Sequence, residues 1–341
     1  MDERYSRQIL FTPIGRKGQE TLKRKRVVIV GAGALGTGNA ELLARAGVGR
    51  LAIIDRDYVE FSNLQRQLLY TEEDARMRLP KAVALKNHLA RINAETVVDA
   101  YVADASVDEL AQLAEDADLL VDATDNFETR FLINDISQKY GVPWIYGACV
   151  GSYGISFMVI PGETPCLNCL LEEIPFGGAT CDTAGIIAPA VHMVVAYQTA
   201  EALKWLTGNR QALRNRLVTF DVWENRHTAL DVRALRKYDC LSCGACAVYP
   251  YLSRDRLTRT AVLCGRDTVQ IRPPREIQRD LEQLAARLRA LDDAGAVEVT
   301  PYLLMYRFGK FRIVVFRDGR VLVHGTSDPA EAKSLYHRLL G

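Results

Sequence analysis

Val27-Val28-Ile29-Val30 runs directly into Gly31-Ala32-Gly33-Ala34-Leu35-Gly36, and this junction restricts the fold more than any other stretch of the chain. Four apolar, mostly β-branched residues without polar alternation predict a strand buried on both faces, as in a parallel sheet. The G-x-G-x-x-G spacing lets the backbone turn sharply and approach a ligand closely. The helix that follows, to about residue 46, offers its unpaired N–H groups and positive dipole end to phosphate. Gly47 and Gly49 close that helix. A second strand over 51–54 ends at Asp55, where an acid can bind a ribose hydroxyl. Strand, loop, helix and acid in register predict a nucleotide site, although the motif alone does not choose between a dinucleotide and ATP.

The alternation continues downstream. Helices are predicted over 82–92, 107–114 and 128–140, and strands over 97–102, 119–121 and 144–147. The result is a doubly wound α/β fold with a mostly parallel, Rossmann-like sheet. From Cys149 the pattern changes. Residues 152–160 alternate as antiparallel strands do, 185–206 read as a buried helix, and 217–221 as another strand. We expect a first domain over residues 1–248. Residues 255–341 have a different rhythm, β-α-β-β-β-α, with one strand over 297–306 and a hairpin turn at Asp318-Gly319, and predict a small α+β domain.

Composition excludes several classes. The 43 Lys+Arg and 42 Asp+Glu leave a formal net charge of +1, so no global field favours nucleic acid or a membrane surface. Hydrophobic residues make up 48%, enough for a sizeable core and too many for disorder. The N-terminus is charged from its second residue, and no uninterrupted apolar run can span a bilayer. These features predict a cytoplasmic protein. Its eight cysteines, in a reducing compartment, then suggest metal or sulfur chemistry before disulfides.

Around the glycine loop the sequence gathers polar groups suited to phosphate. Asp55-Arg56-Asp57 is followed by Ser62-Asn63-Leu64-Gln65-Arg66-Gln67, and Lys81 follows Leu79-Pro80. Arg and Lys stabilise charge growing on phosphate oxygens, which hydride transfer does not require, although either residue taken singly reads as solvated surface charge. Asp122-Ala123-Thr124-Asp125-Asn126 ends another strand on the same edge. Asp125 can hold Mg²⁺ through oxygen, and Asp125 or Asn126 can equally cap the next helix.

Cys166-x-x-Cys169 and Cys240-x-x-Cys243 together offer four thiolates, the donor set of a closed, structural Zn²⁺ site. The overlapping pair Cys243 and Cys246 leaves the register open. Cys181, in a polar Gly-rich loop, reads either as a nucleophile for an activated acyl group or as an ordinary loop cysteine. Cys149 and Cys264 abut apolar runs and read as small packed hydrophobes.

Taken together, RYSRQI at 4–9, GAGALG at 31–36, AGVG at 46–49, DRDYVEFSNLQRQ at 55–67, LPK at 79–81, ATDN at 123–126, CLNC at 166–169, TCDTAGIIAP at 180–189 and CLSC at 240–243 resemble the MoeB/ThiF branch (HesA/MoeB/ThiF) of the ubiquitin-activating enzyme superfamily. The resemblance covers roughly residues 1–248. It implies Mg-ATP binding and adenylation of the C-terminal Gly-Gly carboxylate of a ubiquitin-like sulfur-carrier protein, MoaD-like or ThiS-like, for molybdopterin or thiamine thiazole synthesis. By matching position it implies a phosphate loop of Gly31, Gly33 and Gly36, with Asp55 at the ribose and Ala34 and Asp57 among the nucleotide contacts. Arg66 and Lys81 would stabilise the phosphates, Asp125 would serve magnesium and the reaction geometry, and Asn63 and Asn126 would be further contacts to the nucleotide. Arg7 would reach the neighbouring subunit of a homodimer. Cys166, Cys169, Cys240 and Cys243 would be the zinc ligands, and Cys181 a catalytic candidate. A cysteine desulfurase or sulfurtransferase is an implied partner. The tail departs from the shorter relatives, which end after the second cysteine pair, and is too short for a rhodanese-like domain. Three rivals share parts of the pattern. An NAD-dependent oxidoreductase leaves Arg66, Lys81 and the cysteine pairs unexplained. An adenylating relative acting on a small molecule or modified tRNA gains no support from the near-neutral charge. A scaffold without catalysis does not need the full set of charged positions.

Overall fold

The computed structural model describes residues 2–171, 184–253, 260–262, 267–272, 278–291 and 296–340. The chain divides into two compact units, Met1–Arg254 and Asp255–Gly341. The first begins with helices α1 (Asp2–Leu10) and α2 (Gly15–Leu22). Strand β1 (Arg26–Val30) then leads through the glycine loop into α3 (Ala34–Arg45), and β2 (Arg50–Ile54) ends at Asp55. Next come α4 (Glu72–Met77), α5 (Lys81–Ile92), β3 (Val97–Tyr101), α6 (Val107–Ala114), β4 (Leu119–Asp122), α7 (Phe127–Tyr140) and β5 (Trp144–Val150). Strands β6 (Tyr153–Val159), β7 (Leu217–Asp221) and β8 (Arg226–Leu230) complete the sheet, with α8 (Leu167–Leu170) and α9 (Ala188–Leu206) between β6 and β7.

The eight strands lie in the order β3-β2-β1-β4-β5-β6-β7-β8. Strands β1 to β5 are parallel and β5 to β8 antiparallel. The order reverses between β1 and β4, which opens a crevice at their carboxyl ends, where ligands bind in such sheets. One core lies on the face covered by α3, α5 and α9, and a second on the face of α6 and α7. The buried segment predicted over 185–206 is α9. Its close approach to α3 requires Gly38, because a Cβ there would lie 2.9 Å from Val195. Between the two helices Asn39 Nδ2 donates to Gln198 Oε1 (2.7 Å), and Gln198 Nε2 reaches the Asp122 carbonyl (2.7 Å), so α9 is bonded to the end of β4. Among the described residues, no helix is long and apolar enough to cross a membrane.

The second unit is a six-stranded antiparallel sheet ordered β11-β12-β13-β14-β10-β9, with α10 (Leu281–Leu291) and α11 (Pro329–Leu340) packed on a shared apolar core. Its strands are β9 (Thr260–Val262), β10 (Thr268–Ile271), β11 (Val297–Val299), β12 (Leu303–Phe308), β13 (Phe311–Phe316) and β14 (Val321–His324). The single strand expected over 297–306 is two strands. Pro301 cannot donate to a ladder, and Thr300 turns the chain there, its Oγ1 accepting the Leu303 N–H at 3.1 Å. With β9 also preceding β10, a strand the sequence pattern did not predict, the expected order β-α-β-β-β-α becomes β-β-α-β-β-β-β-α.

Gly36 is required by close approach. A Cβ there would lie 2.1 Å from the Gly31 carbonyl oxygen, itself held because Gly31 has φ +101° and donates to Ile54 O (2.8 Å). Gly36→Ala is expected to destabilise the protein by about 1–3 kcal/mol, the usual scale for overpacking. Guanidinium unfolding followed by circular dichroism checks this.

Candidate functional site

The residues predicted to meet a nucleotide converge on the crevice at the ends of β1, β2 and β4. Gly33 is the N-cap of α3 and, among the described residues, no side chain caps that helix, so its first N–H groups, beginning at Ala34, face the loop uncapped. Asp55 braces the loop from the next strand. Its Oδ2 accepts the Ala32 N–H (2.6 Å) and its Oδ1 the Asp57 N–H (2.7 Å). Burial pushes the Asp55 carboxyl up, and the nearby Lys81 charge opposes this. Lys81, 4% exposed, is the first residue of α5 and places Nζ 3.2 Å from Asp57 Oδ2. A buried ammonium needs such a partner.

Asn63 lies in a short 3₁₀ turn, where its Oδ1 accepts the Glu60 N–H (3.0 Å). Among the described residues its Nδ2 is buried without a partner, as is Oε1 of Gln67 one turn later. Orphaned polar atoms of this kind inside a native fold call for an explanation such as a ligand or ion. Gln67 Nε2 is the nearest atom, at 3.8 Å, to where a Gly33 Cβ would stand, so its amide borders the phosphate loop. Arg66 is half-buried, its Nη1 donating to Ser62 O (2.8 Å). Tyr70 OH donates to Ala32 O (2.6 Å) and lies 3.1 Å from Lys81 O. Burial raises its hydroxyl well above the usual range and keeps it protonated.

Across the crevice, Asp125 is exposed in the turn after β4. Asn126 caps α7, its Oδ1 accepting the Thr129 N–H (2.8 Å), and its Nδ2 lies 3.5 Å from Asp125 Oδ1. Arg7 stands apart. It is exposed on α1, and α1 is held by Gln8 to the Ala46 carbonyl (2.8 Å) and by Arg4 to the Ile92 carbonyl (2.9 Å), at the opposite ends of α3 and α5. Within one chain Arg7 does not join the crevice. Cys181 and Cys264 lie outside the described residues. Tyr70 and the buried Arg130 escaped the sequence reading, and Gln67 figured there only as part of the polar run 62–67. Gln67 follows Asn63 by four residues, the one local signal available. Tyr70 and Arg130 act through contacts distant in sequence.

A second cluster lies on the α7 side of the sheet. The Sγ atoms of Cys166, Cys169, Cys240 and Cys243 all lie within 4.8 Å of one another. Cys166 and Cys169 are 3.8 Å apart, Cys166 and Cys240 3.6 Å, and Cys169 and Cys243 3.4 Å. A tetrahedral ion with metal–sulfur bonds of about 2.3 Å needs edges of roughly 3.8 Å, so the cluster fits such an ion. The second knuckle requires Gly244, whose Cβ would lie 2.5 Å from the Tyr238 oxygen. Cys246 is exposed, and Cys149 is buried in the core beneath α9. Hydrogen bonds from Cys166 and then Cys243 hold Cys169 toward thiolate, the ligating form.

The fold and its two clusters define a nucleotide-binding α/β protein with a four-cysteine knot. The chain belongs to the ThiF family, which matches residues 5–242. It is 52% identical to the sulfur carrier protein ThiS adenylyltransferase of Bacillus subtilis (strain 168), with all of both chains aligned. It is 36% identical to the molybdopterin-synthase adenylyltransferase of Escherichia coli (strain K12), over 71% of this chain and 96% of that one. Among solved structures, E. coli MccB with ATP matches with a TM-score of 0.62 and 24% identity, over 72% of this chain and 74% of that one, which is a likeness of fold.

The cysteine cluster is expected to hold one thiophilic divalent ion per chain. Elemental analysis should find it in the purified protein, a mercurial titration of the thiols should release it, and Cys240→Ser should reduce the content well below one. Full metal content in Cys240→Ser would place the ion elsewhere.

Proposed function

We propose that this protein is an adenylyltransferase that activates the C-terminal Gly-Gly carboxylate of a ubiquitin-like sulfur carrier of the ThiS type. A carboxylate oxygen of the carrier attacks the α-phosphorus of ATP. The bond from that phosphorus to the bridging oxygen breaks, and pyrophosphate leaves with the electron pair. The carrier retains an acyl-adenylate.

The observation that carries this reading is the placing of buried Lys81 beside Asp57 and Asp55, at the mouth of an uncapped helix N-terminus. A fixed cation there suits phosphoryl chemistry, where charge grows on the phosphate oxygens. In this reading Gly31, Gly33, Ala34 and Gly36 cradle the phosphates, and Asp55 and Asp57 face the ribose. The orphaned amide of Asn63, with Arg66 and Lys81, steadies the triphosphate. Asp125 faces Mg²⁺, which when bound would neutralise charge between the phosphates, and the Asn126 NH₂, turned toward Asp125 Oδ1 at 3.5 Å, lies beside the nucleotide. Zn²⁺ suits the four-cysteine knot, which leaves it no open position and so a structural role. Arg7, exposed on α1 and away from the crevice of its own chain, serves a neighbouring crevice in a homodimer. The acyl-adenylate is an electrophile for a persulfide donor, such as a cysteine desulfurase or sulfurtransferase, in the cytoplasm. Alignment over the whole chain, small unit included, with the ThiS adenylyltransferase favours a ThiS-type over a MoaD-type carrier.

ATP–pyrophosphate exchange tests the reading. Exchange should require a Gly-Gly-ended carrier and run fastest with the ThiS type; no exchange with either carrier, together with a nicotinamide fluorescence change, would favour the oxidoreductase instead. Arg66→Ala and Asp125→Ala should each lower exchange by about 10²-fold or more, with melting curves close to wild type. Exchange near the wild-type rate in either variant would remove that residue from the site.

A further inference from the structure

Arg130 belongs to none of the motifs above, yet it is 5% exposed and bonded into the turn that carries Asp125. Its Nε lies 3.1 Å from Oδ2 of Asp122, a fully buried carboxylate at the end of β4. Its Nη2 donates to the Thr124 carbonyl (2.7 Å) and approaches the Gly147 carbonyl on β5 (3.4 Å). Oδ1 of Asp122 accepts both the Thr124 N–H (2.9 Å) and the Thr124 hydroxyl (2.7 Å). Thr124 is therefore held at its N–H, its side chain and its carbonyl by one ion pair. The guanidinium plane is flanked by the rings of Phe127 (5.1 Å) and Tyr146 (5.5 Å), which fix its orientation.

Asp125 is the next residue. Its own hydrogen bond, from Asn126 Nδ2, is long at 3.5 Å, so the place of its carboxylate is set by the backbone of the turn. A buried ion pair contributes little net stability, because desolvation offsets its attraction; what the rigid five-donor fork supplies is defined geometry. We propose that Arg130 is a positioning residue for adenylation: by gripping Thr124 against Asp122, it aims the Asp125 carboxylate at the metal–triphosphate unit. This rests on the adenylation reading of the site. Arg130 touches no substrate in this scheme and acts through Asp125.

Arg130→Lys is the informative variant. It keeps the charge opposite Asp122 but has a single nitrogen, which cannot serve Asp122, Thr124 and Gly147 in one fixed fork. The readout is the affinity of the full-length protein for a non-hydrolysable ATP analogue, by calorimetry, with and without Mg²⁺. Wild type should bind more tightly with Mg²⁺. Arg130→Lys should lose about tenfold of that gain, the usual scale for disturbing the support of a metal-facing carboxylate, and keep the metal-free affinity. Asp125→Asn should lose the gain as well, and Arg130→Lys should add nothing in the Asp125→Asn background. An undiminished Mg²⁺ gain in Arg130→Lys, or an equal further loss in the Asp125→Asn background, would overturn the proposal. If Arg130→Lys does not fold, the charge-free pair Asp122→Asn with Arg130→Gln replaces it: loss of the gain supports the clamp and retention overturns it. Wild-type protein that binds no ATP would overturn the adenylation reading and the clamp's role with it, whereas intact wild-type binding with an unaffected variant overturns the clamp alone.

Discussion

The backbone of Ala32 organises the first unit. Its N–H is held by Asp55 Oδ2 at 2.6 Å and its carbonyl by the Tyr70 hydroxyl at 2.6 Å. A hydroxyl has one proton, so with the Lys81 carbonyl at 3.1 Å the Tyr70 bond to Ala32 is the principal one. Through these two contacts the glycine loop is tied to the end of β2 and to the segment leading into α5. Lys81, the first residue of α5, is tied back to Asp57 through both backbone and side chain. Loop, acid and lysine therefore keep their spacing without a ligand. A nucleotide entering the crevice meets donors already aimed, and little ordering opposes its binding.

How much of this was legible in the sequence follows from how local each interaction is. The strand–loop–helix–acid register needs only neighbours in the chain, and residues 27–55 state it outright. The two C-x-x-C pairs are local as well, and their meeting on the α7 side of the sheet follows from the chemistry of thiolates. Arg130 has no such signal: its partners Asp122, Thr124 and Gly147 come together only when β4, α7 and β5 pack, and on a bare helix pattern it reads as a solvated arginine. Tyr70 reads as a core aromatic for the same reason. In the small unit the apolar run over 297–306 carries a strand signal throughout, and Pro301 with Thr300 cuts it in two; there the local turn chemistry outweighs the periodicity.

Helix α7 joins the two clusters that sequence reasoning treated separately. Its first residues follow the Asp125–Asn126 turn, and its middle is fixed to the cysteine knot. Asn134 Oδ1 accepts the Leu167 N–H (2.8 Å), between the first two cysteines. Asp135, fully buried, accepts the Tyr251 N–H (2.8 Å), and the Tyr251 ring stacks on Phe131 at 4.6 Å. Burial raises the Asp135 carboxyl, against hydrogen bonds from Ser242 in the second cysteine pair and from Tyr251. Buried polar groups are tolerated when each finds its partner, and such networks specify one arrangement over close alternatives. A rigid helix rises 1.5 Å per residue, so a shift in the knot at Asn134 reaches the cap at Asn126 within about two turns and little attenuated. The cysteine knot is thus more than a staple for its own loops. By fixing the register of α7 it holds the turn that carries Asp125, and the same helix sends Arg130 back to grip that turn from beneath.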